Sequence, residues 1–204
     1  MRNNNKNHWE AVYETKQPNE VSWTQENPKT SLDLIRETNL DKTAKIIDIG
    51  GGDSKLVDFL LAEGYKNISI LDISSNALER AKNRLGKNAE KVNWIVSDII
   101  NFKPETTYDI WHDRATFHFL TTNDQIKTYN ELTEKWITSH LVLGTFSKSG
   151  PTKCSGLDIK QYSENELESQ FSKGFKKIKC CTEEHLTPFE TKQNFTFCSF
   201  EKIN

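Results

Sequence analysis

Residues 45–54 read Lys-Ile-Ile-Asp-Ile-Gly-Gly-Gly-Asp-Ser, so three consecutive glycines separate a short apolar run from a segment with helical character. The isoleucine-rich run predicts a buried β-strand over residues 45–49. Glycines directly after a strand permit a sharp turn and let the backbone approach a ligand that any Cβ would hold away. We therefore predict that Gly50, Gly51 and Gly52 form a ligand-binding turn between a strand and a helix.

The carboxylate of Asp48, just before this turn, indicates the charge of the ligand. A helix N-terminus and its free N–H groups already favour an anion, so a pyrophosphate would gain nothing from a neighbouring carboxylate. A cationic group fits better, and S-adenosylmethionine carries both an ammonium and a sulfonium. An NAD site would show Gly-x-Gly-x-x-Gly, whereas Lys55 stands three residues after Gly52. The turn therefore favours S-adenosylmethionine over the NAD of an oxidoreductase.

Carboxylates also follow the next two predicted strands. The run at residues 68–71 leads into Asp72, and in a strand-helix-strand unit an acid at that position accepts hydrogen bonds from ribose hydroxyls. The run at residues 92–96 leads into Asp98, which we expect to accept from an adenine amino group. With Asp48, these acids favour a nucleoside cofactor over a tight turn that binds nothing. The residues expected to contact the nucleoside are Asp72, Ile73, Ser97, Asp98 and Ile99.

Four segments, IIDIGGGDS, ISILDIS, IVSDI and YDIWHDR, resemble the ordered motifs of the class I S-adenosylmethionine-dependent methyltransferases. The resemblance runs from about residue 45 to the C-terminus. It implies an α/β fold with a seven-stranded, Rossmann-like sheet, mostly parallel, with helices on both faces and an antiparallel last strand inserted between its neighbours. Ser54 stands where the family pattern often has another glycine, and we expect its hydroxyl to cap the following helix.

The alternation of apolar strands with amphipathic helices also predicts a parallel sheet. The predicted strands are residues 45–49, 68–71, 92–96, 108–112, 140–146, 176–182 and 194–201. The predicted helices are residues 29–38, 54–63, 76–85 and 124–138, and a Ser-x-x-Glu capping box at residues 163–166 opens another.

The N-terminal segment, residues 1–40, is expected to be a lid packed on a cofactor-binding domain of residues 41–204. It holds Trp9 and Trp23, whose rings are suited to close over the cofactor, exclude water and lie beside a sulfonium. The alternative is that these rings only pin an N-terminal helix to the domain.

Residues 111–120 follow the fourth predicted strand, and ligands in such sheets bind outside the carboxyl ends of the strands near the order reversal. The run Trp-His-Asp-Arg resembles the Trp-Asp-Arg-Gly stretch of thiopurine methyltransferases, and the Trp-rich N-terminus resembles theirs and that of plant halide and thiol methyltransferases. It is also similar to the Asp-Lys-Gly-Thr-Leu-Asp stretch of lysine methyltransferases. These resemblances imply that Asp113 and Arg114 contact the substrate or the cofactor's carboxylate. Trp111 is expected beside the cofactor.

His112 and His118 depart from these patterns and are candidate bases, because an amine acceptor must lose a proton before it is methylated. If a helix begins near residue 116, His118 shares a face with Arg114. The alternative is that His118 only packs between Phe117 and Phe119.

Composition fits one α/β domain of 204 residues. The net charge of −2, from 27 basic and 29 acidic residues, argues against a nucleic-acid partner. Absence of a bilayer-length apolar stretch argues against a membrane span, and residues 1–7 lack the apolar core of a signal peptide, so a cytoplasmic protein is expected.

The four cysteines show no Cys-x-x-Cys pair and are expected to be reduced thiols. A metal site is not expected, because its possible ligands, Cys154, His112, His118 and His185, lack a ligand spacing.

The sequence thus predicts a methyltransferase that uses S-adenosylmethionine to modify a sulfur or nitrogen atom of a small molecule. The alternatives are methylation of protein lysine, or a catalytically silent module that binds the cofactor. The oligomeric state is left open.

Overall fold

The computed structural model describes residues 2–203, with side chains from Asn5 onward. Nine strands lie in this part of the chain: β1 (Lys45–Ile49), β2 (Asn67–Asp72), β3 (Val92–Val96), β4 (Tyr108–Arg114), β5 (Ile137–Phe146), β6 (Lys153–Cys154), β7 (Leu157–Asp158), β8 (Phe175–Leu186) and β9 (Lys192–Lys202). Seven of them form one sheet in the order β3-β2-β1-β4-β5-β9-β8, while β6 and β7 form a small hairpin. β9 lies antiparallel between β5 and β8, and the other pairs are parallel. The predicted sheet, with its inserted antiparallel strand, is confirmed.

Six α-helices accompany these strands within residues 2–203: α1 (Arg2–Thr15), α2 (Lys29–Glu37), α3 (Leu56–Ala62), α4 (Ser75–Leu85), α5 (Asn123–Trp136) and α6 (Glu164–Phe171). One buried cluster joins α2, α3 and α4 to the sheet through residues such as Leu32, Leu60 and Leu78. A second cluster joins α5 and α6 to the opposite face through residues such as Ile126 and Leu167. The helices therefore cover both faces, as predicted.

Several helix ends follow from local chemistry. The Ser163 hydroxyl accepts from the Glu166 N–H, and the Glu166 carboxylate accepts in return from the Ser163 N–H, which completes the predicted capping box of α6. Ser54 accepts from the N–H of Leu56, the first residue of α3, at 3.2 Å. The sequence pattern does not predict α1, because residues 2–15 are largely polar. This helix is stabilised by its contacts with the rest of the chain.

Several boundaries differ from the prediction, and β8 runs to Leu186 instead of residue 182. α5 ends at Trp136 and β5 begins at Ile137 with no loop between them, whereas the predicted helix runs to residue 138 and the predicted strand begins at 140. β4 continues to Arg114, two residues beyond the prediction.

The expectation of four reduced thiols is wrong for two of them. Cys180 on β8 and Cys198 on β9 are register partners in the antiparallel pair and form a disulfide. Their pairing depends on which residues face each other across the two strands, which spacing along the sequence does not show. Cys154 and Cys181 are free thiols.

The order of the sheet reverses between β1 and β4, where Asp48 lies opposite His112 and Ile49 opposite Asp113. This reversal opens a crevice at the carboxyl ends of the strands. Among residues 2–203, none of the helices combines the length and apolar character needed to cross a bilayer.

Candidate active site

A cavity of about 410 Å³ lies at this crevice, within the usual size range of small-molecule sites. Of the residues predicted to form the site, those that line it are Trp9, Trp23, Asp48, Gly50, Gly51, Asp72, Ile73, Ser97, Asp98, Ile99, His112 and Arg114. They come from the N-terminal segment, the glycine turn and the ends of β1, β2, β3 and β4.

The glycine turn has no room for side chains. Gly50 and Gly52 have φ angles of +65° and +47°, which favour glycine. A Cβ on Gly50 would lie 1.8 Å from Thr116 Oγ1, and one on Gly51 would lie 2.6 Å from Asp48 Oδ2. Gly52 faces the Tyr13 hydroxyl and Asp72. The backbone N–H groups of Gly50 and Gly51 donate to the Leu71 carbonyl, which holds the turn against β2.

Asp72 ends β2 as predicted, and its carboxyl group is buried. Burial raises its pKa to about 7, and the charges of Asp53 and Asp48 act in the same direction. The backbone N–H groups of Ser74 and Gly52 donate to it and partly oppose the shift. Asp72 is thus a buried carboxyl group that lines the cavity beside the glycine turn.

Carboxylates outnumber basic side chains around the turn, where Lys55 and Arg84 also line the cavity. Asp53 lines the cavity beside Asp48 and Asp72, and burial raises its pKa although Arg80 and Arg84 oppose the shift. At the end of β3, Asp98 uses Oδ1 to accept from the Ile100 N–H, which leaves Oδ2 for a ligand. This side of the cavity therefore suits a cationic ligand with several hydrogen-bond donors.

The alternation of β4 divides the predicted residues between the two faces of the sheet. His112 and Arg114 line the cavity, whereas Trp111 and Asp113 point to the face covered by α5. There, Trp111 Nε1 donates to the Tyr129 hydroxyl, which donates to Asp113 Oδ2 at 2.7 Å. Both side chains are fully buried. Contacts of Trp111 with the cofactor and of Asp113 with the substrate therefore have no geometric support.

Asp113 instead fixes the loop that follows β4. Its Oδ1 accepts from the backbone N–H groups of Thr116 and Phe117. Thr116 in turn donates its hydroxyl to the Ile49 carbonyl, beside Gly50. Burial raises the pKa of Asp113 to about 6, although these hydrogen bonds act to lower it.

His118 is a packing residue in this structure. It is fully buried in a 3₁₀ turn, its ring lies against Phe119 and Phe146, and Nδ1 accepts from the Phe146 N–H. Burial, with a contribution from Arg114, lowers its pKa to about 3. So weak a base would take little part in proton transfer near neutral pH. The alternative reading of His118 is therefore favoured.

His112 is connected on both sides of its ring. Nδ1 lies 2.6 Å from Asp48 Oδ1, and Nε2 lies 2.8 Å from the hydroxyl of Ser31 on α2. All three side chains are buried and all three line the cavity. Ser31 is missed by sequence reasoning, because an isolated serine near the start of a helix is not distinctive.

Arg114 carries the buried positive charge of the cavity. Its Nη1 donates to the Trp23 carbonyl at 3.0 Å, and the guanidinium lies over the Phe195 ring. Among the described residues, Nε and Nη2 have no hydrogen-bond partner. Burial lowers the pKa of Arg114 to about 10, so the group is still charged at neutral pH. Unpaired buried N–H donors of this kind suit a planar anion.

The N-terminal segment contributes Trp9, Tyr13 and Trp23 to the lining of the cavity. Trp9 lies 5.5 Å from Trp23 and 5.3 Å from Phe119, measured between ring centroids. Glu10 fastens α1 to α4 by accepting from the backbone N–H groups of Ser75 and Asn76 and from two serine hydroxyls. Although partial burial raises the pKa of Glu10, these hydrogen bonds lower it to about 2.

Known proteins resemble this chain in sequence and in fold. Residues 46–135 match the family described as "Methyltransferase domain". The chain is 34% identical over 92 residues to malonyl-[acyl-carrier protein] O-methyltransferase 1 of Ilyobacter polytropus, a match that covers 45% of this chain and 33% of that one. It is 23% identical over 180 residues to EEF1A lysine methyltransferase 2 of Homo sapiens, covering 82% of this chain and 72% of that one. The chain thus spans about a third of the length of the malonyl relative.

Among solved structures, the N-methyltransferase NodS of Bradyrhizobium japonicum in complex with S-adenosylhomocysteine has the same fold. The TM-score is 0.70 at 17% identity, and the match covers 88% of this chain and 90% of that one. Residues 46–135 therefore resemble a methyltransferase domain, and the chain has the fold of the class I S-adenosylmethionine-dependent methyltransferases.

Proposed function

We propose that the chain transfers the methyl group of S-adenosylmethionine to a small molecule. The observation that carries this proposal is the group of carboxylates, Asp48, Asp53 and Asp72, that lines the cavity around the glycine turn. Their charge favours a ligand with ammonium and sulfonium centres and disfavours the pyrophosphate of NAD. The crowded glycine turn also fits close approach of such a ligand to the backbone.

Each cavity wall has a distinct role in this proposal. Asp72 accepts from ribose hydroxyls, Oδ2 of Asp98 accepts from the adenine amino group, and Asp48 attracts the cationic part of the cofactor. When bound, S-adenosylmethionine would supply a methyl group on a sulfonium. The nucleophile attacks the methyl carbon in line with the departing sulfur. The protein contributes alignment and the exclusion of water.

Arg114 and the aromatic side chains support a small acceptor. Trp9, Trp23 and Phe119 form an apolar wall, and Arg114 provides two free donors beside it. A mainly apolar cavity with a few placed polar groups is typical of small-molecule sites. We infer that Arg114 binds an anionic group, in line with the resemblance to thiopurine methyltransferases.

Protein lysine is the second candidate acceptor. It is supported by the similarity to EEF1A lysine methyltransferase 2, which extends over 82% of this chain. The malonyl relative, named as an O-methyltransferase, matches a shorter part of the chain.

Calorimetry with S-adenosylhomocysteine and with NADH tests the cofactor, and only the former is expected to bind. Isotope-labelled S-adenosylmethionine, incubated with a small-molecule panel and separately with denatured and folded proteins, then tests the acceptor. Label in the small-molecule fraction is expected. Label in protein alone would favour the lysine alternative, and binding without transfer to any acceptor would favour a silent module.

A further inference from the structure

Ser31, His112 and Asp48 form a chain of hydrogen bonds along one wall of the cavity. The three residues belong to α2, β4 and β1, and their exposed fractions are 1%, 2% and 3%. The distances are 2.8 Å from Ser31 Oγ to His112 Nε2 and 2.6 Å from His112 Nδ1 to Asp48 Oδ1. Burial keeps bulk water from competing for these hydrogen bonds.

The chemistry of the three groups sets the direction of the chain. A carboxylate can only accept, so Nδ1 of His112 carries the proton that is donated to Asp48. In the neutral ring Nε2 is then an acceptor, and the Ser31 hydroxyl donates to it. This order, hydroxyl to imidazole to carboxylate, is the one in which a serine passes its proton to a histidine base.

We propose that Ser31 takes a proton from the methyl acceptor and passes its own proton to His112, with Asp48 as the positioning residue. The inference rests on the proposed function. The acceptor atom forms a bond to the methyl carbon, the carbon–sulfur bond breaks, and its electron pair stays on sulfur to give S-adenosylhomocysteine. The acceptor's proton moves to Ser31 Oγ, and the former Ser31 proton ends on Nε2 of His112, where Asp48 stabilises the imidazolium.

This relay defines the class of acceptor. An attacking atom that carries a proton, such as the nitrogen of an amine or the oxygen of a phenol, needs a proton acceptor. A thiolate or a carboxylate is already ionised and does not. We infer that the acceptor is of the first kind, and Arg114 is free to hold a separate anionic group of the same molecule.

The charged groups around His112 include both acids and a base. Asp48 faces it from β1, and Asp113 and Arg114 are its neighbours on β4. Asp72 lies across the glycine turn and interacts with Asp48. From α2 the group that faces the ring is the uncharged Ser31 hydroxyl.

Nitrogen-15 NMR of the histidine rings in the ligand-free protein tests the direction of the relay without any turnover. The Nδ1-protonated tautomer of His112 is expected, with an Nε2 resonance that shifts in Ser31→Ala. A neutral His112 with its proton on Nε2 would make Ser31 the acceptor and overturn the proposal.

Kinetics on phenol and thiophenol, together with benzylamine, test the relay in turnover, because thiophenol alone among them has largely lost its proton near neutral pH. With phenol or benzylamine, Ser31→Ala is expected to lower kcat about 100-fold or more near neutral pH and to leave a kcat that follows the deprotonated fraction of the acceptor as the pH rises. Ser31→Thr keeps the hydroxyl and should recover most of the rate. Ser69→Ala, which removes a buried serine hydroxyl on β2, is the matched control and should behave as wild type.

Cofactor affinity distinguishes a failure of the proton relay from a failure of the proposed methyltransferase function. Ser31→Ala should bind S-adenosylhomocysteine as wild type does. Unchanged kcat and pH profile in Ser31→Ala, or a wild-type enzyme that methylates only thiophenol, would overturn the relay while the methyltransferase proposal stands. A wild-type protein that fails to bind S-adenosylhomocysteine would overturn both.

Discussion

Asp72 is the residue at which the stability of the fold and the binding of a ligand oppose each other. Its pKa in the folded protein is about 7, well above the ordinary value of 3.8. The folded state therefore binds a proton that the unfolded chain has already lost between these pH values, and stability falls as the pH rises through this window. Above pH 7 the full cost of the buried charge is present.

Asp72→Asn should therefore stabilise the protein by about 1–3 kcal/mol at pH 8 and by less at pH 5. The same change removes a charged acceptor, so affinity for S-adenosylhomocysteine should fall by about 1–3 kcal/mol. Denaturant unfolding at both pH values and calorimetry measure the two effects. Asp158→Asn, an exposed control, should change neither. A variant that is less stable at pH 8, or that binds the ligand as wild type does, would contradict the assignment.

Arg114→Lys tests the anion site. Lysine keeps the charge but has a single nitrogen in place of the planar fork, so it cannot bond the Trp23 carbonyl and also present parallel N–H groups to a planar anion, and kcat/KM for the acceptor should fall about tenfold or more. Arg36→Lys, a half-exposed arginine on α2, is the matched control. Comparison of S-adenosylhomocysteine with 5′-methylthioadenosine shows which carboxylate is bound. If Arg114→Lys weakens the binding of S-adenosylhomocysteine but not of 5′-methylthioadenosine, Arg114 binds the carboxylate of the cofactor and not that of the acceptor. Wild-type kinetics in Arg114→Lys would show that Arg114 does not bind an anion.

Site residues that were predicted from the sequence belong to short motifs, whereas those that were missed have partners far away along the chain. The glycine turn and the acids that end β1 and β2 are local patterns, and the structure brings them together. Ser31 meets His112 across 81 positions and Glu10 meets Ser74 across 64, so no short motif contains either pair. The sequence alone could have shown that His112 and Arg114 lie on one face of the sheet and Trp111 and Asp113 on the other, because successive residues of a strand point to opposite faces.

At the scale of elements, the sheet was more predictable than α1, which contributes Trp9 and Tyr13 to the cavity lining. Strand cores carry apolar runs, and their ends shift by only a few residues, as at Ile137, where helix passes directly into strand. α1 has no apolar periodicity that would identify it. Its position depends on Glu10, which satisfies the free N–H groups at the start of α4.

Deletion of residues 1–28 is expected to leave a cooperatively folded protein with little methyl transfer. The sheet and helices α2–α6 lie outside this segment, while Trp9, Tyr13 and Trp23 line the cavity. Thermal unfolding followed by circular dichroism checks the fold, and labelled methyl transfer checks the activity. Glu10→Gln, which weakens the attachment to α4, should show a milder loss of the same kind. Full activity of the truncated chain would show that the segment is not a lid.

At the scale of the whole molecule, the β8–β9 pair forms one edge of the sheet, away from the glycine turn, and its disulfide closes a loop between residues 18 positions apart. A covalent link of this length lowers the entropy of the unfolded chain and typically contributes about 2–4 kcal/mol. The expectation of a cytoplasmic protein stays a prediction, and reducing compartments generally disfavour such a link. Whether Cys180 and Cys198 are joined or reduced in the purified protein therefore bears on the disulfide and on the expected location.

We expect the denatured, unreduced protein to react with a thiol reagent at two of its four cysteines, because Cys180 and Cys198 are joined while Cys154 and Cys181 are free. A reductant should raise the count to four and lower the free energy of unfolding by about 2–4 kcal/mol. A variant with both Cys180→Ser and Cys198→Ser should be insensitive to reductant, and Cys154→Ser is the control that keeps the link. Because the pair lies outside the cavity, affinity for S-adenosylhomocysteine should not change on reduction. Four reactive thiols in protein purified without reductant would show that the two strands are held by their hydrogen bonds alone.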